Sequence, residues 1–379
     1  MDRSRQTSRR TSLTLAALAA LVFAAILVAR PADRHLRAMA LLTRFSEPNA
    51  AGWVAGVGRH DLTESCFDID GRIPARLYLP VGKSDPPGMV LAHGVHRLGL
   101  EEPRLKNFSR AIASAGIAVL TPELRELADY TIDPKTIDTI GAAVHALRMR
   151  VGRPVGLLGM SFAGGLSLMT AADQRFASDL AFVVSIGGHD DLGRVLHFFV
   201  SNSIEHPDGT VEQLHAHDYG PLVLVYSHID GFFPPEDREP AREALRYWLW
   251  EQFDTAKERA AKLSPPSQAR MTALFEHKLE TIRPELTAEI ERQRPRFASV
   301  SPAGCMRSIR VPIYLLHGAG DNVIPASETL WLMRHAPKDK LAQGLVSKAI
   351  SHVEMQGQPG WADRLALVHF MASLLREVE

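Results

Sequence analysis

A serine at position 161 stands between an apolar run and a segment rich in small residues. The stretch Leu157–Gly165 reads Leu-Leu-Gly-Met-Ser-Phe-Ala-Gly-Gly, which contains the pattern Gly-x-Ser-x-Ala. Residues 154–158 favour a short buried strand, and residues 162–172 favour a helix. Small residues permit a sharp turn between the two, which displays the serine hydroxyl as a nucleophile. We therefore predict that Ser161 attacks a substrate carbonyl, and helix capping is its structural alternative.

An acid and a base are predicted at the ends of two later strands. An apolar run leads into a glycine-rich loop that contains Asp321, the predicted acid. Asp190 and Asp191 follow an earlier strand and are the alternative acids. A strand-like run at residues 341–350 ends just before His352, the predicted general base. Other histidines beside or within apolar segments are predicted to be structural: His93, His317 and His369.

The order serine, acid, histidine along the chain resembles the α/β-hydrolase superfamily, and the resemblance extends from about Thr63 to the end. The family pattern places an oxyanion hole in the loop after the third strand. Residues 90–96, which read Val-Leu-Ala-His-Gly-Val-His, match that loop. Carried onto this sequence, the resemblance implies that the backbone amides of Val95 and Phe162 are the oxyanion donors.

These groups together predict catalysis through an acyl-enzyme. His352 takes the proton of Ser161, Asp321 fixes the imidazole tautomer, and water then hydrolyses the acyl group. The predicted function is a serine hydrolase acting on a carbonyl substrate, above all a carboxylic ester. The alternatives are an acyltransferase or a peptidase on the same fold, or a catalytically inactive, membrane-tethered binding protein.

Composition argues against several other classes of function. The 43 basic and 43 acidic residues leave no net charge, so nucleic acid is not expected as a partner. The sequence has no nucleotide-binding glycine motif, and the close pair His215 and His217 has no third ligand at a suitable spacing. We therefore expect no cofactor and no metal. Cys66 and Cys305 are predicted to be free, buried thiols.

The amino-terminal segment predicts a membrane anchor. Several arginines precede the run Leu13–Ala29, which holds no charged residue and would span about 25 Å as a helix. We predict an uncleaved single-pass signal anchor with the catalytic part outside the cytoplasm, or export after signal cleavage as the alternative.

Alternating strand and helix patterns predict an α/β fold with a doubly wound, mainly parallel sheet, a helical cap insertion and an N-terminal membrane helix. A hairpin turning at Asp70-Gly71 is expected to begin the sheet. The predicted segments are an N-terminal basic and membrane-helix segment at 1–39, the first part of the hydrolase core at 40–191, a helical lid at 192–300 and the second part of the core at 301–379. Residues 40–61 are expected to form a linker or a short helix.

The predicted lid contains four apolar clusters, for which the sequence leaves two roles open. They either roof an apolar pocket over Ser161 or pack the insertion onto the core, and packing is the plainer expectation for most of them. A roof of this kind favours a small, apolar acyl substrate. The clusters are Leu196–Val200, Leu222–Tyr226, Phe232–Phe233 and Tyr247–Trp250.

Overall fold

A mostly parallel sheet lies at the centre of the computed structural model, which describes residues 29–351 and 360–379. Its eight strands have the order β1-β2-β4-β3-β5-β6-β9-β10. The β1–β2 and β2–β4 pairs are antiparallel, and the remaining pairs are parallel. The strands are β1 (Leu62–Ile69), β2 (Ile73–Pro80), β3 (Gly88–Ala92), β4 (Ala118–Pro122), β5 (Val155–Met160), β6 (Leu180–Ile186), β9 (Ile313–Gly318) and β10 (Leu341–Ser347).

The predicted hairpin between β1 and β2 is confirmed. Asp70 and Gly71 have φ angles of 52° and 66°, in the left-handed region that a tight turn uses. Glycine enters that region without steric cost, and aspartate tolerates it better than most residues. The local sequence therefore determines where the chain reverses.

Helices cover both faces of the sheet, as the doubly wound prediction requires. On the first face lie α1 (residues 29–46), α3 (Pro103–Ser114) and α15 (Trp361–Glu377), which share one apolar core. On the second face lie α5 (Lys135–Val151) and α6 (Phe162–Ala172), which share a larger core with the segment 192–300. Shorter helices complete the frame: α2 (Trp53–Gly56), α4 (Arg125–Ala128) and α14 (Ser327–His335).

The segment 192–300 is mainly helical. It also holds a two-stranded hairpin, β7 (Ser203–Glu205) and β8 (Val211–Gln213), that the sequence patterns did not predict. Strands of three residues are too short to show an alternation of apolar and polar side chains. The helices are α7 (Leu192–Ser201), α8 (Tyr219–Ser227), α9 (Arg238–Leu249), α10 (Phe253–Ala260), α11 (Pro265–Phe275), α12 (Arg283–Arg292) and α13 (Arg294–Ala298).

Helix α1 runs without a break across residues 39 and 40. Ala38, Ala40 and Leu41 are buried, which fixes the helix against the first face of the sheet. The buried Arg44 donates to the carbonyl oxygens of Ala55 and Val57 at 2.9 and 3.1 Å, and so joins α1 to the segment around α2. The expected linker or short helix is thus the end of α1 followed by α2.

The predicted anchor, residues 13–29, lies outside the described residues except for residue 29. Within residues 29–351 and 360–379, no helix combines the length and the hydropathy needed to cross a bilayer.

The two cysteines are free, as predicted, but neither is fully buried. Cys66 is exposed because β1 is an edge strand whose side chains mostly face solvent. Cys305 is partly buried, and this burial raises the pKa of its thiol to about 11. The prediction of buried thiols was therefore wrong, because an edge position depends on strand order rather than on local sequence.

Candidate active site

Ser161 occupies the turn between β5 and α6. Its φ of 56° and ψ of −136° lie in a region that residues with a side chain rarely adopt. The turn is held in place because the Ser161 amide donates to the carbonyl of Ile186 on the neighbouring strand at 2.8 Å. Ser161 is 5% exposed. Backbone strain at a nearly buried serine fits the geometry expected of a displayed nucleophile.

The small residues around Ser161 let the strand and helix approach closely. A β-carbon on Gly159 would collide with the backbone oxygen of Ala163, and one on Gly164 would lie 3.0 Å from the Cα of Gly188. Ala163 itself is fully buried, so its methyl group fits where the usual pattern has a glycine. The departure from Gly-x-Ser-x-Gly therefore leaves the turn intact.

The loop after β3 lies against the serine. A β-carbon on Gly94 would lie 2.8 Å from the Cβ of Ser161, so only glycine permits this approach. Val95 follows in the same loop and lines the same cleft. Phe162 opens α6, where an amide has no acceptor within its own helix. The fold thus places the loop that holds Val95 and the start of α6 at Phe162 next to Ser161.

His93, in the same loop, has the structural role that was predicted. Its Nε2 accepts from the Leu124 amide at 2.9 Å, and its Nδ1 lies 2.8 Å from the Gly94 carbonyl oxygen. A carbonyl only accepts, so Nδ1 carries the proton of a neutral ring. Burial lowers the pKa of His93, which keeps the ring neutral.

Asp321 follows β9 and is 1% exposed. Its Oδ1 accepts from the amides of Val323 and Ile324 at 2.8 and 2.9 Å, and its Oδ2 lies 3.2 Å from His317 Nε2. That same nitrogen lies 2.8 Å from the Ile324 carbonyl oxygen, so it carries a hydrogen. The Thr329 hydroxyl lies 2.6 Å from the other ring nitrogen. His317 is structural, as predicted, and its ring also contacts the candidate acid, which the sequence did not indicate.

The two alternative acids belong to a buried ionic network at the start of the lid. Asp190 is 3.0 Å from both Arg194 and His335. Asp191 caps α7 by accepting from the Arg194 amide at 3.0 Å. Glu328 accepts from the amides of both aspartates. Neither aspartate is among the described residues that line the cleft beside Ser161.

A cleft of about 1230 Å³ opens over Ser161. Gly320 and Asn322, on either side of Asp321, line it, and so does Ser351. His352, the predicted base, lies outside the described residues. The fold therefore brings together the serine, the loop after β3, the loop of the candidate acid and the residue that precedes the predicted base.

The lid forms part of the roof of this cleft. Leu222, Trp248, Leu249 and Trp250 line the cleft, whereas the other apolar clusters of the lid are buried in the core of the second sheet face. Both expected uses of the clusters therefore occur. The buried residues include Leu196, Phe198, Phe199, Val200, Phe232 and Phe233.

The remaining histidines take no part in a metal site within the described part of the chain. His215 is exposed and lies 3.5 Å from Asp218. The His217 amide donates to the Asn322 carbonyl at 2.8 Å and so links the lid to the loop of the candidate acid. His369 is exposed on α15, where its ring stacks on His35 of α1.

Comparison with known proteins finds likeness in structure only. No protein-family model and no curated protein matches the chain. A putative lipase from Acinetobacter baumannii AYE is 14% identical, with a TM-score of 0.46 over 83% of this chain and 92% of that chain. A membrane phospholipase A, described as a bacterial virulence factor, is 16% identical, with a TM-score of 0.45 over 97% and 99%. The esterase domain of a Rhodothermus marinus protein is 16% identical, with a TM-score of 0.43 over 84% and 98%.

The fold itself carries the assignment. A mostly parallel eight-stranded sheet is covered on both faces, a strained serine joins its fifth strand to the following helix, and a helical segment enters after the sixth strand. The chain has the α/β-hydrolase fold, and the expected resemblance to that superfamily is confirmed at this level.

Proposed function

We propose that this chain is a serine hydrolase that cleaves carboxylic esters through an acyl-enzyme. Ser161 is the nucleophile, His352 the general base and Asp321 the acid that orients the base. The strained backbone of Ser161, next to the loop after β3, is the observation that carries this proposal. Residues held in such a conformation, which costs about 1–3 kcal/mol, cluster at active sites, and this supports a chemical role for Ser161.

The reaction proceeds in two steps. The Ser161 oxygen attacks the ester carbonyl while His352 takes its proton, and the alcohol leaves with that proton as the acyl-enzyme forms. Water, activated by the same imidazole, then releases the acid and restores the serine. The amides of Val95 and Phe162 donate to the oxyanion in both steps.

A fluorophosphonate probe tests the nucleophile directly. We expect the probe to label the folded protein at Ser161, because the activated hydroxyl attacks phosphorus as it attacks a carbonyl. Mass spectrometry of the labelled peptide identifies the residue. Labelling should disappear in Ser161→Ala and persist in Ser84→Ala, which changes an exposed serine. Folded protein that takes up no probe would instead indicate a binding protein without catalysis.

We also propose that residues 13–29 anchor the chain in a membrane, with the catalytic part outside the cytoplasm. The arginines before this run support that orientation, since basic residues stay on the cytoplasmic side. Protease added to spheroplasts should digest the catalytic part and spare a cytoplasmic marker. Survival of the catalytic part until the cells are lysed would contradict the orientation, and recovery in the soluble fraction would favour cleavage of the segment.

A further inference from the structure

The cleft over Ser161 draws its apolar lining from both faces of the sheet. On the first face, Phe45 of α1 lies beside Leu105 and Phe108 of α3, and all three line the cleft. The rings of Phe45 and Phe108 have centroids 4.8 Å apart. These residues pack with the core of the first face, which is separated by the sheet from the core that the lid joins. We call this set, Phe45, Leu105 and Phe108, the α1 wall.

The opposite wall belongs to the lid and is held rigidly. Trp248 stacks on Phe275, with ring centroids 3.8 Å apart and planes 7° from parallel. The Tyr130 hydroxyl donates to the Leu249 carbonyl at 2.9 Å, which fixes this segment to the core of the molecule. Trp248, Leu249 and Trp250 line the cleft, and we call them the lid wall.

Ser161 directly follows the carboxyl end of the inner strand β5, between the two faces of the sheet. The two substituents of an attacked carbonyl carbon can therefore lie against different walls. Ligand pockets commonly measure about 300–1,000 Å³. The volume of about 1230 Å³ therefore leaves room for groups on both sides of the reacting bond. Two charged residues, Glu102 and Arg104, also line the cleft beside the α1 wall, and they pair with each other at 2.6 Å.

We propose that the substrate is an ester with an apolar group on each side of its carbonyl, and that Phe45 determines specificity for one of them. This inference rests on the proposed hydrolase function. Helix α1 precedes the region that resembles the hydrolase superfamily, yet it supplies a side chain to the cleft. The buried Arg44, next to Phe45, holds this end of the helix through its bonds to Ala55 and Val57.

Four alkyl esters test the proposal: ethyl acetate, ethyl hexanoate, hexyl acetate and hexyl hexanoate. The alcohols leave with similar intrinsic reactivity, so differences in kcat/KM report binding of the alkyl groups. We expect lengthening of either the acyl or the alcohol side to raise kcat/KM about tenfold or more, since each buried methylene is favourable. Acid release, followed by titration at constant pH, measures the rates.

Two variants separate the walls. Phe45→Ala should reduce about tenfold the rise in kcat/KM that follows from lengthening one side of the ester. Trp250→Ala should reduce the rise for the other side by a similar factor. Leu42→Ala is the matched control, because Leu42 packs in the same core from the same helix but is not among the described lining residues. It should leave the ratios of kcat/KM unchanged. Phe45→Leu, which keeps an apolar side chain, should give an intermediate ratio and covers the case that Phe45→Ala does not fold.

The inference is overturned if lengthening only one side of the ester raises kcat/KM of the wild-type protein, or if both variants affect the same side. It is also overturned if Phe45→Ala and Phe45→Leu both keep the wild-type ratios of kcat/KM. These results differ from a failure of the proposed function. In that case Ser161→Ala would hydrolyse all four esters as fast as the wild-type protein, and the fluorophosphonate probe would not label Ser161.

Discussion

Replacing Ser161 with alanine or glycine is expected to lower kcat for ester hydrolysis about 10⁶-fold. Loss of the nucleophile in a serine triad has an effect of this size, because the remaining groups have nothing to activate. The residual rate would come from the oxyanion donors and substrate binding alone. Rates measured with ethyl hexanoate check this, with Ser84→Ala as the control that retains wild-type turnover. A fall of tenfold or less would remove Ser161 from the reaction.

The same pair of variants tests whether the backbone at Ser161 is strained. Alanine retains the β-carbon at a φ of 56°, close to Gly94, whereas glycine removes it. We expect Ser161→Gly to be more stable than Ser161→Ala by about 1 kcal/mol, since a left-handed residue costs about that much when it carries a side chain. Urea unfolding of the two inactive proteins measures the difference. If Ser161→Ala were instead the more stable variant by about 0.4–1 kcal/mol, the advantage of alanine over glycine at an unstrained position, the turn would store no strain.

The elements that the sequence predicted well are those whose signals are local. The buried strands are short apolar runs, and Asp70-Gly71 marks a turn by its own backbone preferences. The small residues after Ser161 likewise identify the turn between β5 and α6. Each of these features depends on the conformational freedom or hydropathy of a few neighbouring residues.

The features that escaped prediction depend on how distant segments meet. Phe45 reaches the cleft only because α1 packs on the face of the sheet that also holds α3. The exposure of Cys66 follows from the position of β1 at the edge of the sheet. His317 contacts Asp321 because the loop after β9 folds back on its own strand. In none of these cases does the local residue pattern predict which distant segment lies beside the residue.

The choice among the candidate acids also needed tertiary structure. From the sequence, Asp190, Asp191 and Asp321 each follow a strand, and the sequence pattern gave only a preference for Asp321. In the folded chain, Asp190 contacts Arg194 and His335, at 3.0 Å from each. Asp321 lies in a loop in which its neighbours Gly320 and Asn322 line the cleft. Asp321 is therefore the candidate that we test.

Replacing Asp321 with asparagine is expected to lower kcat about 10⁴-fold at neutral pH. The neutral amide cannot stabilise the imidazolium that forms on His352, and its NH₂ group favours the wrong tautomer of the ring. The change is nearly isosteric, and Oδ1 can still accept from the Val323 and Ile324 amides. The NH₂ group would then take the place of Oδ2, 3.2 Å from His317 Nε2. The loss should appear in kcat with ethyl hexanoate, while circular dichroism shows an unchanged fold.

Asp190→Asn is the matched control, because it makes the same chemical change in a carboxylate outside the cleft. Removing this charge takes one of two carboxylate partners from Arg194, which keeps Glu328, so the variant should lose about 1–3 kcal/mol of stability. Its folded fraction should keep kcat within about tenfold of the wild-type value. The opposite pattern, with a 10⁴-fold loss in Asp190→Asn and near-normal turnover in Asp321→Asn, would transfer the role of the acid to Asp190.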